Sequence, residues 1–133
     1  ADTRVWLGDS MGEMYAYYGA ADVAVIGGSW ARLGGQNPIE ASAVGCPVIV
    51  GQHTFNFKAV CEQAIEVGAA VRADDIEDGL RVALEIIADP IRRKAMSTAG
   101  SLFAHSHRGA TGRTMDLITP LLRTARPRRP GER

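Results

Sequence analysis

Only two cysteines, Cys46 and Cys61, occur in 133 residues, each in an apolar stretch. Two thiols so spaced build neither a zinc cluster nor a disulfide framework, and they read as small hydrophobes in a reduced, cytoplasmic setting. Net charge is missing as well. Fifteen basic and fifteen acidic residues cancel, which removes the overall field that draws a chain to nucleic acid or to an acidic bilayer. No apolar run approaches the ~20 residues needed to span a bilayer, so a membrane would be met from its surface. Neither a leader pattern nor an initiator Met opens the chain, which enters the strand-like Arg4-Val5-Trp6-Leu7 almost at once and reads as a piece of something longer. Two nucleotide signatures are also absent: there is no Gly-x-x-x-x-Gly-Lys-Ser, and Gly8-x-x-x-Gly12 is not a dinucleotide fingerprint.

What is present is an ordinary globular mixture, 46% hydrophobic and 23% charged, at a length that suits one domain. Short Val- and Ile-rich runs predict strands at Val5–Leu7, Asp22–Ile26 and Pro47–Val50, with a weaker fourth at Gly68–Val71. Helical spacing fills the gaps over Gly12–Ala20, Asn37–Val44, Phe57–Val67 and Asp75–Ala88. Pro90 opens a further helix, and a last one runs over about Ala110–Leu122. In Asp75–Ala88 the residues Ile76, Leu80, Ala83, Leu84 and Ile87 share one face. Near-continuous apolar strands alternating with helices predict an α/β fold, a Rossmann-like parallel sheet with helices on both faces, here with fewer strands than a complete sheet. The domain is expected over residues 1–122. Residues 123–133, rich in Arg and Pro, read as a disordered basic tail.

The unusual residues follow strands. Gly8–Glu13, Gly27-Gly28-Ser29 and Gly51–Phe57 each succeed an apolar run, and in an open parallel sheet such loops line the carboxyl edge where ligands bind. The sharpest segment is Gly34-Gly35-Gln36-Asn37-Pro38-Ile39-Glu40. Paired glycines allow close backbone approach, Asn37 is a good helix cap, and Pro38 at a first helical position loses no hydrogen bond. The pattern predicts an anion seat at a helix start, with Glu40 one turn along to take a ribose diol: the geometry of a nucleotide. A tight turn, a cap and a first-turn acid would account for the same residues without any ligand.

These segments, together with Tyr18-Gly19-Ala20-Ala21-Asp22-Val23-Ala24 and His53-Thr54-Phe55-Asn56-Phe57, occur in an order and spacing that resembles bacterial 3-deoxy-D-manno-octulosonic acid (Kdo) transferases, over about Arg4 to Leu122. The resemblance implies the C-terminal domain of a GT-B glycosyltransferase that holds the donor CMP-Kdo, with no metal or other cofactor. It also implies an N-terminal domain that binds a lipid A precursor and carries an acidic general base, so that this chain alone would bind without turnover. By the same likeness Gly34, Gly35 and Asn37 face the CMP phosphate, Glu40 takes the ribose hydroxyls, Gly27, Gly28 and Ser29 line the donor pocket, and Met11 and Gly12 read the cytosine. The setting it implies is the cytoplasmic face of the inner membrane, in lipopolysaccharide synthesis. Gln36 stands where the family often has His; its amide donates to a sugar or phosphate oxygen but does not titrate near neutrality. His107-Arg108-Gly109 departs from a more usual Asn-x-Gly.

Other residues carry weaker signals. His53 and Asn56 are candidate cleft contacts. His105 and His107 lack further ligands for a metal site. Trp6, Trp30 and the three tyrosines read as packing, Trp30 being the one closest to a glycine loop. Asp74, Asp75, Glu77 and Asp78 suit a helix start. Ser29 and Ser42 lack a nucleophile elbow. Two other readings fit the same residues: a GT-B transferase or epimerase using another sugar nucleotide, and a nucleotide-binding module without catalysis.

Overall fold

The computed structural model describes residues 4–124. Val48–Val50 has no polar side chain for either face, and it forms the middle strand, β2, with all three residues at 0% exposure. It is flanked by β1 (Ala24–Val25) and β3 (Ala70–Arg72), both parallel to it, in the order β1-β2-β3. Alternation along β2 divides the core. Val48 and Val50 join Ala24, Ile26, Cys46, Cys61, Ala64 and Phe103 on one face, and Ile49 joins Ala73, Val82, Ala83, Ile86 and Met96 on the other.

The first face is covered by α2 (Ile39–Ala43), α3 (Lys58–Glu66) and the second half of α5 (Pro90–Ser106); the other is covered by α4 (Ile76–Ala88). The expected parallel sheet with helices on both faces is therefore the observed one. Helix starts follow local chemistry. Asp75 accepts the Asp78 N–H at 2.7 Å to begin α4, and Asp89 accepts those of Ile91 and Arg92 at 3.0 and 2.9 Å to begin α5 around Pro90. A shorter helix, α1 (Met14–Ala20), packs on α2, and α6 (Ala110–Thr124) closes the described part of the chain. The expected tail lies almost wholly outside the described residues.

Two expectations are corrected. Val5–Leu7 forms no strand: Val5, Trp6 and Leu7 are 80% exposed or more, because a strand exists only through a partner's ladder and no described strand pairs with this run. On α4 the apolar stripe read from the sequence packs only through Ala83. The buried side is Gly79, Val82, Ala83 and Ile86, whereas Ile76, Leu80, Leu84 and Ile87 are exposed. Gly79 lies against Trp30, where a Cβ would come within 2.9 Å of the indole, and Val82, Ala83 and Ile86 continue that face onto Ile49 and Ala73.

Candidate functional site

Because the three strands are parallel, the segments leaving β1, β2 and β3 emerge together. Gly27–Ser29 and Gly51–Phe57 meet there directly. The Ser29 hydroxyl donates to the Ile26 carbonyl at 2.6 Å and accepts the Gly51 N–H at 2.8 Å, and the Ser29 carbonyl accepts the His53 N–H at 2.7 Å. Ser29 is 0% exposed. Its side chain thus ties the β1 loop to the β2 loop and is not turned to the cleft. Gly51 is confined by the same contact, since a Cβ there would stand 2.5 Å from the Ser29 carbonyl oxygen and 2.8 Å from the Trp30 ring. Trp30 is accordingly a packing residue between two glycines, and its indole Nε1 is buried without a hydrogen-bond partner.

The Gly34-Gly35 turn is held against this pair of loops. Gly35 N–H donates to the Gly28 carbonyl at 3.2 Å, while Asn56 donates its backbone N–H to Gly34 (3.3 Å) and its side-chain amide to Leu33 (3.1 Å). Gly34 and Gly35 have φ of 88° and 71°, which only glycine adopts without strain. A Cβ on Gly34 would also overlap the Asn56 amide and lie 2.7 Å from the Phe55 ring. Both glycines are buried, so sequence alone identified a turn that needs glycine but not the side chains that cover it.

Beyond the turn, Asn37 accepts the Ile39 N–H at 3.0 Å, and Pro38 has no N–H to offer. With the Gly35 and Ile39 amides engaged inside the fold, the start of α2 presents fewer free donors than the motif alone implies. Gln36 is exposed and Asn37 half-buried. Glu40, the second residue of α2, is half-buried beside Tyr18; burial first and the Glu40 carboxylate second push the Tyr18 phenol above its ordinary range, with Cys46 a smaller contributor. The Glu40 carboxylate therefore lies on the α1 side of the cleft.

The Gly8–Glu13 loop takes another course. Its hydrogen bonds run to α1: Ser10 Oγ lies 2.5 Å from the Tyr17 hydroxyl, Ser10 also bonds Glu13, and Tyr17 donates to Glu13 at 3.3 Å. Gly8 packs on the Tyr17 ring. Met11 is 97% exposed, and Gly12, at φ 86°, has open space around it. The structure thus brings together the Gly27–Ser29, Gly34–Asn37 and His53–Asn56 segments and leaves Met11 and Gly12 on a separate arm joined through α1.

On the other side of the β2 loop His53, a candidate from the sequence, is joined by four residues that sequence reasoning missed. Gln52, His53, Lys58, Glu62 and Arg72 line an open cleft of about 390 Å³. Arg72 donates to the Gly51 carbonyl at 2.7 Å and to Glu62 at 2.8 Å, and Gln52 donates to Asp74 at 3.0 Å. The one signal available was position: Lys58 directly follows the Phe55-Asn56-Phe57 turn. At the far side of the domain His107 Nδ1 meets the Phe103 carbonyl at 2.9 Å and Nε2 meets the Gln63 side chain at 3.1 Å, joining α5 to α3. Among the described residues no cluster of three His, Cys, Asp or Glu is arranged to hold a metal ion, and no helix is long and apolar enough to cross a membrane.

Residues 1–102 match the model of the family glycosyl transferases group 1. Over 114 residues the chain is 58% identical to a 3-deoxy-D-manno-octulosonic acid transferase of Bordetella pertussis, covering 86% of this chain and 27% of that protein. Over 122 residues it is 39% identical to the protein of the same name from Haemophilus influenzae, covering 91% of this chain and 29% of that one. The chain therefore spans less than a third of the length of either relative. A crystal structure of the C-terminal CMP-Kdo binding domain of WaaA from Acinetobacter baumannii superposes with a TM-score of 0.72 at 29% identity, over 76% of this chain and 53% of that one.

Proposed function

Given that the chain belongs to the glycosyl transferases group 1 family, we propose that it is the donor-binding part of a Kdo transferase, which holds CMP-Kdo while a further domain supplies the acceptor and the base. The observation that carries this is the 58% identity, over 86% of the chain, to a protein of that name; the likeness to a domain described as binding CMP-Kdo supports it. On this reading the whole enzyme transfers Kdo to a lipid A precursor at the cytoplasmic face of the inner membrane. The reading includes no metal or other cofactor.

The residues proposed to bind the donor are Gly27, Gly28, Ser29, Gly34, Gly35, Gln36, Asn37 and Glu40, with Met11 and Gly12 on the base side and His53 and Asn56 at the cleft wall. Their roles differ. Gly28, Ser29, Gly34, Gly35 and Asn56 act by shaping the loops, since their groups bond one another. Gln36, Asn37 and Glu40 are the ones with surface to give a ligand. Inverting transfer requires an acidic base to deprotonate the acceptor hydroxyl as the anomeric carbon is attacked. In this proposal that base belongs to the part of the relatives' length that the chain does not span.

NMR titration of the chain with CMP, UDP and GDP tests the reading. CMP is expected to shift resonances of Gly34–Glu40 at concentrations where UDP and GDP do not. A stronger response to UDP would assign the domain to another sugar nucleotide.

A further inference from the structure

The rim of the sheet's carboxyl edge carries two large apolar side chains that the donor reading does not use. Leu33 is 70% exposed and Phe55 is 62% exposed. Their backbones are fastened side by side. Asn56 donates its side-chain amide to the Leu33 carbonyl at 3.1 Å and its N–H to the Gly34 carbonyl at 3.3 Å, and the Leu33 N–H is held by the Ala31 carbonyl at 2.7 Å. The Phe55 ring lies against Gly34, where a Cβ would come within 2.7 Å of it. Covering the pair therefore orders little further backbone.

Cations border these two side chains. Arg32 precedes Leu33 and is exposed; Lys58 lines the same cleft as Phe55 and is exposed too. Neither makes an ion pair among the described residues. Of the neighbouring carboxylates, Glu62 is neutralised by Arg72 at 2.8 Å and Asp74 is held by Gln52 at 3.0 Å. Arg32 and Lys58 against Asp74 leave the rim positive. The exposed stripe of α4 is larger but lies beside Glu77, Asp78 and Glu85, and the arginines next to it, Arg81 and Arg92, are already paired. An anionic surface would be repelled there and attracted at the rim.

Two apolar side chains are too few for a stable protein interface, which takes about 800 Å² from each side. They suit a surface into which apolar groups sink while adjacent cations meet phosphates. We infer that this rim is a contact site for an anionic phospholipid surface, with Leu33 and Phe55 entering the acyl boundary and Arg32 and Lys58 on headgroup phosphates. The inference rests on the proposed function, whose acceptor is a lipid, and extends it by naming the face of this domain that meets the bilayer. The donor cleft then opens toward the lipid.

Co-sedimentation with vesicles tests it, using phosphatidylglycerol-containing vesicles against phosphatidylcholine alone. The unaltered chain is compared with Leu33→Ser, Phe55→Ser and the double variant Arg32→Gln with Lys58→Gln, each checked for folding by circular dichroism. Leu33, Arg32 and Lys58 are exposed, so their substitution should leave the core intact even if Phe55→Ser does not. The chain is expected to bind the anionic vesicles only. Each cation near such a surface contributes about fivefold, so the double variant should bind roughly twentyfold more weakly, and Leu33→Ser about fivefold more weakly. No binding to anionic vesicles would overturn the inference. So would undiminished binding by every variant, which would move the contact elsewhere, such as to Arg126, Arg128 and Arg129. Self-association that Leu33→Ser abolishes would overturn it in favour of a protein partner. CMP titration of the same samples separates the two readings: CMP binding without vesicle binding leaves the proposed function standing, whereas vesicle binding through these residues without CMP binding keeps the lipid contact and removes the donor assignment.

Discussion

At the scale of single residues the site separates into groups that build it and groups that face outward. Glu40 is half-buried beside Tyr18 with its carboxylate on the cleft's α1 side, so Glu40→Gln should reduce CMP affinity by about tenfold, read by titration, with a melting temperature within a degree or two of the parent. Unchanged affinity with unchanged melting would mark Glu40 as a first-turn acid and nothing more. Cys46 and Cys61 show the opposite behaviour, chemistry suppressed by surroundings. Burial, helped by Asp22, pushes the Cys46 thiol up to about 11, and burial likewise raises Cys61. A thiol raised in the folded state contributes stability that is fully present below the unfolded value and lost as pH rises, so unfolding should become easier from about pH 8.5, the ordinary cysteine value, toward 11. Urea melts at pH 7.5 and 9.5 read this slope, and Cys46→Ala should flatten it. In the folded chain at neutral pH both thiols should resist alkylation; fast modification of either would contradict their burial.

Among the elements, α4 is the instructive case. Its sequence offers two candidate faces, and the larger apolar side chains are on the one that does not pack. Leu80→Gln and Leu84→Gln should therefore change unfolding free energy by no more than about 0.5 kcal/mol, whereas Ile86→Ala, at a position with 0% exposure, should cost about 2 to 5 kcal/mol. A large loss from Leu84→Gln would show that this stripe is covered in solution. Periodicity located the helix, its start at Asp75 and the break at Asp89-Pro90, because these depend on neighbouring residues alone. Which face is buried depended on partners distant in sequence: Ile49 and Ala73 beneath Val82, Ala83 and Ile86, and Trp30, forty-nine positions before Gly79 and in contact with it. The run at Val5–Leu7 failed for a related reason. Apolar β-branched content makes a strand possible, but only a neighbouring ladder makes it one.

For the molecule as a whole, binding and stability are linked. A nucleotide that binds only the folded domain, present at a hundred times its dissociation constant, adds about 2.7 kcal/mol, which for a domain of this size raises the melting temperature by roughly 10 °C. CMP should do this and GDP should not, in a thermal melt of the full chain; equal shifts from both would argue for a phosphate site without base selection. The sequence by itself determined the alternation of strands and helices, the parallel sheet, and the glycine turn with Glu40 one turn along, since all of these follow from propensities and spacings within a few residues. Only the tertiary structure decided that Ser29 and Asn56 hold loops together, that the Gly28 carbonyl takes the Gly35 amide, and that Lys58 and Arg72 share a cleft with His53. Those relations join residues from separate strands and helices, and hydrogen-bond partners are chosen by distance in space, which no local pattern encodes.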